Sequence, residues 1–260
     1  MTSVQPKKSL GQHFLTDKNI AKKIINSLSG RDYNHVIEVG PGTGILTEFL
    51  LERENADVTF VEIDRESIDY LNKRFPGISD RIVEQDFLKY PLGEIHSDPI
   101  AIIGNFPYNI SSQIFFRILE NRHIVTEVVC MLQKEVASRI ISPPGSKAYG
   151  ILSVLLQAFY KTEFLFNVGP QVFTPPPNVN SAVIRLTRLT GSGPGCDERL
   201  FFRVVKTGFN QRRKMLRNSL SALLQGKKTD HPLLSKRPEQ LTVGDFAAIT
   251  RFLEPDGRDL

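Results

Sequence analysis

Apolar positions along the chain follow two alternating rhythms. Short β-branched runs at Val36–Val39, Asp57–Glu62, Ile82–Gln85, Ile100–Gly104 and Glu127–Leu132 have the length and composition of buried strands. Between them, apolar residues recur at helical spacing: a helix runs from the Gly-rich turn after Val39 through Glu54, another from Arg65 towards Phe75, and a third, capped by Ser111, places Ile114, Phe115, Ile118 and Leu119 on one face. Ahead of the first strand, Thr16 or Asp17 caps a helix carrying Ile20, Ile24, Ile25 and Leu28, which ends at Gly30. Strands alternating with helices predict an α/β fold with a doubly wound, mostly parallel sheet.

Further along, Lys134–Ile141 reads as a short helix, residues 142–146 as a Pro/Gly loop, and Tyr149–Tyr160 as a helix. Two strand-like runs, Glu163–Gly169 and Ser181–Leu189, are close enough to form a terminal antiparallel hairpin on that sheet. After the linker-like residues 190–195, helical periodicity takes over, in turn through Leu200, Phe201, Val204 and Val205, through Met215, Leu216, Leu220, Leu223 and Leu224, and through Phe246, Ile249, Phe252 and Leu253. Thr242 and Asp245 form a capping-box start for the last helix. The pattern therefore divides the chain into residues 1–189, a linker at 190–195, and a small helical domain at 196–260.

Composition narrows the picture. The length of 260 residues, 40% hydrophobic and 23% charged, suits a folded globular protein. No run is long enough for a membrane helix, and the start lacks a signal-peptide pattern, so a cytoplasmic protein is expected. The 2 cysteines and 5 histidines are scattered without metal-ligand spacing, so neither a metal centre nor a disulfide framework is expected. Charge is uneven: residues 199–229 hold nine Lys or Arg and no acid, leaving 24 basic against 28 acidic residues elsewhere, a net of −4. A solvated helix face usually mixes both signs, whereas clustering of one sign is the footprint of a polyanion-binding surface.

Candidate chemistry lies at the predicted strand ends. Gly40, Gly42 and Gly44 form a turn between the first strand and a helix, but Ile45 stands where a dinucleotide fingerprint needs its third glycine, so the turn is poor for pyrophosphate. Glu62, 22 positions after Gly40, ends the second strand, where a carboxylate can accept from ribose hydroxyls. Asp86 ends the third strand, where it could accept from an adenine amine while Phe87 packs on the ring. The fourth strand runs into Asn105-Phe106-Pro107-Tyr108. An Asn105 oxygen and the Phe106 carbonyl could accept both hydrogens of an exocyclic amine, Pro107 would stiffen the turn, and Tyr108 could stack on a base. Each feature alone also reads as an ordinary loop or a solvated acid. Their order on four successive strand ends points to a nucleoside cofactor without a phosphate clamp, S-adenosylmethionine, beside an amine-holding tetrad.

These residues, with Leu10–Leu15, Gln133–Ala137, Phe173–Ala182 and Phe209–Asn218, resemble the bacterial small-subunit (16S) rRNA adenine N6,N6-dimethyltransferases of the kasugamycin-resistance type over nearly the whole chain. The resemblance implies a Rossmann-like class I methyltransferase sheet with a small C-terminal helical domain. It implies cofactor contacts by His13, where relatives often carry Asn, and by Leu15, within an N-terminal segment 1–15 that touches cofactor and RNA, with Gly40, Glu62, Asp86 and Asn105 completing the set. It implies that Phe173 sandwiches the target base against Tyr108, although core packing is the alternative for that ring. The substrate implied is two adjacent adenines of the 3′-terminal hairpin loop of 16S rRNA in pre-30S particles, each methylated twice. Separately from the resemblance, a monomer that meets no membrane is expected. Arg212, Arg213, Lys214 and Arg217 would hold RNA phosphates. Two readings compete: a 23S rRNA methylase of the macrolide-resistance type, and an RNA-binding assembly factor whose catalysis is secondary.

Overall fold

The computed structural model describes residues 4–53, 57–191, 193–224 and 230–255; Glu54, Lys227 and Lys228 lie outside the described residues. The elements run in the order β1 (Phe14–Leu15), α1 (Lys18–Ile25), β2 (His35–Val39), α2 (Ile45–Leu50), β3 (Asp57–Glu62) and α3 (Arg65–Arg74). They continue with β4 (Ile82–Glu84), α4 (Leu92–Ile95), β5 (Ile100–Asn105), α5 (Ser111–Glu120), β6 (Val125–Gln133) and α6 (Lys134–Ile141). The rest are α7 (Ile151–Phe159), β7 (Tyr160–Val168), β8 (Phe173–Thr174), β9 (Ser181–Arg188), α8 (Glu198–Asn210), α9 (Leu216–Ser219) and α10 (Val243–Leu253).

Among the described residues, seven strands form one sheet in the order β4-β3-β2-β5-β6-β9-β7. β2 pairs in parallel with β3 and β5, and β5 with β6, whereas β9 runs antiparallel to β6. The expected hairpin is thus present with its second strand inserted between β6 and β7. β2, β5 and β6 are buried almost throughout, as parallel strands covered on both faces must be. Ala21, Ile24 and Ile25 of α1 and Leu46 and Leu50 of α2 pack with Val36, Ala101, Ile103 and Val129 in one core. Because chain order reverses between β3 and β5 on either side of β2, a crevice is expected at the carboxyl ends of these strands.

Local chemistry explains the helix starts. Asp17 Oδ1 accepts from the Asn19 and Ile20 amides at 2.8 and 3.0 Å, choosing Asp17 over Thr16 as the cap of α1. Ser111 does not cap α5; Ile110 holds that place, and the Ser111 hydroxyl donates back to the Tyr108 carbonyl at 3.4 Å. Thr242 and Asp245 form the expected capping box of α10. The expected helix through Leu224 is only Leu216–Ser219, continued by turns, and there the Ser219 hydroxyl donates to the Leu216 carbonyl at 3.4 Å in competition with helical geometry. β1 and β8 form a separate two-stranded sheet, pairing Leu15 with Phe173.

The chain separates into two compact units, one of Met1–Ala137 with Thr162–Arg188, the other of Ser138–Lys161 with Leu189–Leu260. The boundary therefore differs from a single cut at 190–195: α7, expected with the sheet, falls in the second unit. α7 is apolar on nearly every side, and within that unit the Tyr149 ring before it meets Phe209 of α8 edge-on at 6.2 Å. Among the described residues, no helix is long and apolar enough to cross a membrane, and no group of three or more His, Cys, Asp or Glu is placed to hold a metal ion.

Candidate active site

Within the first unit, a cavity of about 230 Å³ opens at the carboxyl ends of β2, β3 and β5. Its walls come from the Gly40–Gly42 turn, Glu62 and Ile63, Asp86 to Leu88, Asn105 to Ile110, and the N-terminal segment Ser9–Phe14. Strand register gathers them: Val39 is level with Val61, Glu38 with Ile103, and Glu62 with Glu84, so the carboxyl ends of the strands reach the same rim.

Gly40 and Gly42 have φ values of +65° and +56°, where side chains with a Cβ are strained. A Cβ on Gly42 would also lie 2.9 Å from the Phe14 ring, so this turn and the N-terminal segment touch directly. Among the described residues, a Cβ on Gly40 would meet nothing within 4 Å, because that backbone faces open space. The turn carries a bare backbone that a ligand can approach.

Glu62 is 4% exposed, and three amides meet its carboxylate: Gly42 on Oε2 at 3.0 Å, Ile63 and Asp64 on Oε1 at 2.9 Å each. Burial pushes its pKa up while those amides oppose the shift, and the net direction is upward. Of about four acceptor positions on a carboxylate, three are taken. About one is left for a hydroxyl. Asp86 accepts from the Leu88 amide at 2.9 Å and heads a short turn that tucks Phe87 into the wall.

The tetrad, which begins at Asn105, the last residue of β5, is held from three sides. The Phe106 amide donates to the Met131 carbonyl at 2.9 Å, and its buried ring meets Phe115 edge-on at 5.8 Å. Pro107 accepts from the Ile110 amide at 3.2 Å, closing the turn into α5. Tyr108 shares a short hydrogen bond with the Ser181 hydroxyl, burial pushes its pKa up, and its ring stacks on His13 with centroids 5.3 Å apart. Asn105 donates from Nδ2 to the His13 carbonyl at 2.8 Å, while its Oδ1 is buried with no hydrogen-bond partner among the described residues. A buried amide oxygen without a donor is costly, and it marks where a ligand N–H fits.

Of the residues singled out by sequence, His13, Gly40, Gly42, Glu62, Asp86, Phe87, Asn105, Phe106, Pro107 and Tyr108 all line this cavity. Leu15 and Phe173 do not. At 2% and 3% exposed they pair across β1 and β8 and belong to the core. The ring found against Tyr108 is that of His13, whose Nδ1 lies 2.8 Å from the Pro175 carbonyl. Phe14, named in the sequence only as part of the Leu10–Leu15 stretch, and Ile63, which the sequence did not single out, line the cavity as well. Ile63 is an apolar residue 50% exposed just past a strand end, a signal readable as an apolar residue following the acid of β3.

In the second unit, Arg213, Lys214 and Arg217 are exposed, whereas Arg212 is engaged. Its Nη2 donates to the Lys147 and Ser146 carbonyls at 2.7 and 3.3 Å, and its Nε lies 3.9 Å from Glu239.

The ribosomal RNA adenine dimethylase family model matches residues 4–254. The chain is 52% identical over 259 residues to the ribosomal RNA small subunit methyltransferase A of Flavobacterium johnsoniae, covering 99% of both chains. It is 53% identical over 258 residues to the protein of that name from Porphyromonas gingivalis, covering 98% of this chain and 100% of that one. Among solved structures, a dimethyladenosine transferase from Plasmodium falciparum aligns with a TM-score of 0.75 at 26% identity, over 90% of this chain and 94% of the other. The 23S rRNA methyltransferase ErmE aligns with a TM-score of 0.65 at 26% identity, over 91% and 99%.

Proposed function

The chain belongs to the ribosomal RNA adenine dimethylase family, and from that premise we propose that it methylates N6 of two adjacent adenines in the 3′-terminal hairpin loop of 16S rRNA, each twice, within pre-30S particles. It is an S-adenosylmethionine-dependent rRNA adenine N6,N6-dimethyltransferase. It works in the cytoplasm, where that RNA is assembled, and acts as a monomer.

The cavity suits the cofactor on two counts: open space beside the Gly40 backbone, and an acceptor position left on the buried Glu62 carboxylate. Glu62 would accept from the ribose, Asp86 and Phe87 would hold the adenine, and His13 would contribute from the N-terminal segment. Bound there, the sulfonium supplies an electrophilic methyl group, so the protein needs positioning rather than a strong base.

The observation that carries the reading is the unpartnered Asn105 Oδ1. Adenine N6 is a weak nucleophile because its lone pair is delocalised into the ring. Asn105 Oδ1 and the Phe106 carbonyl accept its two hydrogens and favour the pyramidal amine, an interaction stronger in the transition state than before it. Tyr108 supports the base by stacking, and Arg213, Lys214 and Arg217 hold phosphates of a loop whose adenines are cheaply splayed out.

The test is mass mapping of methylated adenines in 30S particles from a strain lacking this activity, after incubation with protein and S-adenosylmethionine. Two dimethyladenines in the 3′-terminal hairpin are expected. Methylation of protein-free 23S rRNA alone would instead assign the reaction to the ErmE type.

A further inference from the structure

The N-terminal segment forms one wall of the cavity but has little apolar side chain with which to hold itself there. Of residues 4–13, only Val4 is buried. What fixes it is polar. Asn105 and Asn109 donate to the His13 and Ser9 carbonyls at 2.8 and 3.3 Å on one side of the cavity. On the other side the attachments meet two neighbouring carboxylates, chiefly Asp64, with Lys7 Nζ also 3.7 Å from Glu66. Lys7 Nζ forms a short ion pair with Asp64 Oδ1, and Gln12 Nε2 donates to Asp64 Oδ2 at 3.1 Å. Gln12 Oε1 in turn accepts from the Lys7 amide at 2.8 Å, which closes the loop of contacts, and the Gln5 amide donates to Glu66 at 3.0 Å.

Asp64 faces two ways. Its side chain, 1% exposed, also accepts from the Ser67 hydroxyl at 3.0 Å and caps α3, while its own amide donates to Glu62 Oε1 at 2.9 Å. One residue therefore joins the N-terminal wall to the carboxylate facing it. Burial pushes the Asp64 pKa up, but the hydrogen bonds from Lys7, Gln12 and Ser67 outweigh that and hold it below the usual carboxylate range, so the charge is kept.

We infer that Asp64 is a positioning residue: with Lys7 and Gln12 it latches the N-terminal segment across the cavity, and the state of this latch sets how tightly the cavity holds its cofactor. The inference rests on reading the cavity as the S-adenosylmethionine site. An exposed Lys–Asp pair contributes little by itself. Here one partner is buried, so breaking the pair leaves a carboxylate short of its cation, and the strain falls on the wall and on the Asp64 amide that steadies Glu62.

Binding of S-adenosylhomocysteine by calorimetry and tryptic cleavage after Lys8 test this in the full chain, using Lys7→Gln, Lys7→Arg and Asp64→Asn. Asn caps helices as well as Asp does, so Asp64→Asn keeps α3, and Lys7→Gln leaves that cap untouched. Lys7→Gln and Asp64→Asn should each bind S-adenosylhomocysteine roughly tenfold more weakly, with cleavage after Lys8 faster than in wild type. Combined, they should lose little more than either alone, since they break one latch. In turnover the loss should fall on KM for S-adenosylmethionine rather than on kcat, and Lys7→Arg should restore it. Wild-type affinity and wild-type cleavage in both variants would overturn the latch alone. Wild-type protein that bound no S-adenosylhomocysteine would overturn the cofactor reading of the cavity, and the latch with it.

Discussion

Asn105 donates its side-chain amide to the His13 carbonyl at 2.8 Å, and this contact fixes which way the amide faces. A carbonyl can only accept, so the nitrogen must point to His13 and the oxygen must be the atom left without a partner. Replacing Asn105 by Ala removes that acceptor without adding bulk. Single-turnover methyl transfer is expected to fall by roughly 10²–10³, the usual cost of one preorganised polar group at a reacting centre. RNA binding in a filter assay should be retained. A transfer rate within tenfold of wild type would remove the amide from the mechanism.

The two glycines of the turn after β2 should respond differently to alanine. Both sit at positive φ, so each Cβ brings backbone strain of about 1–2 kcal/mol. At Gly42 the methyl also meets the Phe14 ring at 2.9 Å, which adds an overpacking cost of about 1–3 kcal/mol. Gly40→Ala adds no clash but sets a methyl group in open space beside the cavity. Thermal unfolding should show the larger Tm loss in Gly42→Ala. Calorimetry should show that Gly40→Ala, relative to its stability change, loses more affinity for S-adenosylhomocysteine. Equal Tm losses would mean that Phe14 gives way freely.

The alternation of strand and helix was legible because parallel strands buried on both faces read as continuous apolar runs, as Ile100–Ile103 does. The strand-end residues Glu62, Asp86 and Asn105 were legible for the same reason, since fixing the strands fixes their rim. Pairing of Leu15 with Phe173 was not, because two-residue strands have no periodicity and their partners are far apart in the chain. The same contact took Phe173 into the core and left His13 as the ring beside Tyr108. The place of α7 was hidden too: an apolar helix announces burial but not against which neighbours.

Four cations grouped together in sequence separate in the structure. Arg213, Lys214 and Arg217 are exposed, so replacing any one by Ala should reduce the slope of log K for RNA against log salt by roughly 0.7–0.9. Arg212 already serves the Lys147 and Ser146 carbonyls. Arg212→Ala should change that slope less and instead cost about 1 kcal/mol of stability. Salt titrations paired with urea unfolding distinguish the two behaviours. An Arg212→Ala slope change as large as that of Arg213→Ala would return Arg212 to the RNA surface.

Glu38 is 1% exposed at the end of β2 and lies outside the cavity wall, with Oε2 accepting from the Thr47 hydroxyl at 2.8 Å. Burial pushes its pKa up from 4.5 to about 8, the Thr47 hydroxyl opposes this, and the nearby Glu62 adds to it. The unfolded chain thus releases this proton near pH 4.5, while the folded chain keeps it to about pH 8. Between those values the folded state binds more protons, so stability falls as pH rises. Glu38→Gln has no proton to lose and keeps an acceptor for Thr47. Its stability relative to wild type should therefore increase from pH 5 to pH 8, by an amount on the order of a few kcal/mol, read from urea midpoints at each pH. A difference independent of pH would mean that Glu38 ionises in the folded protein as it does in the unfolded chain.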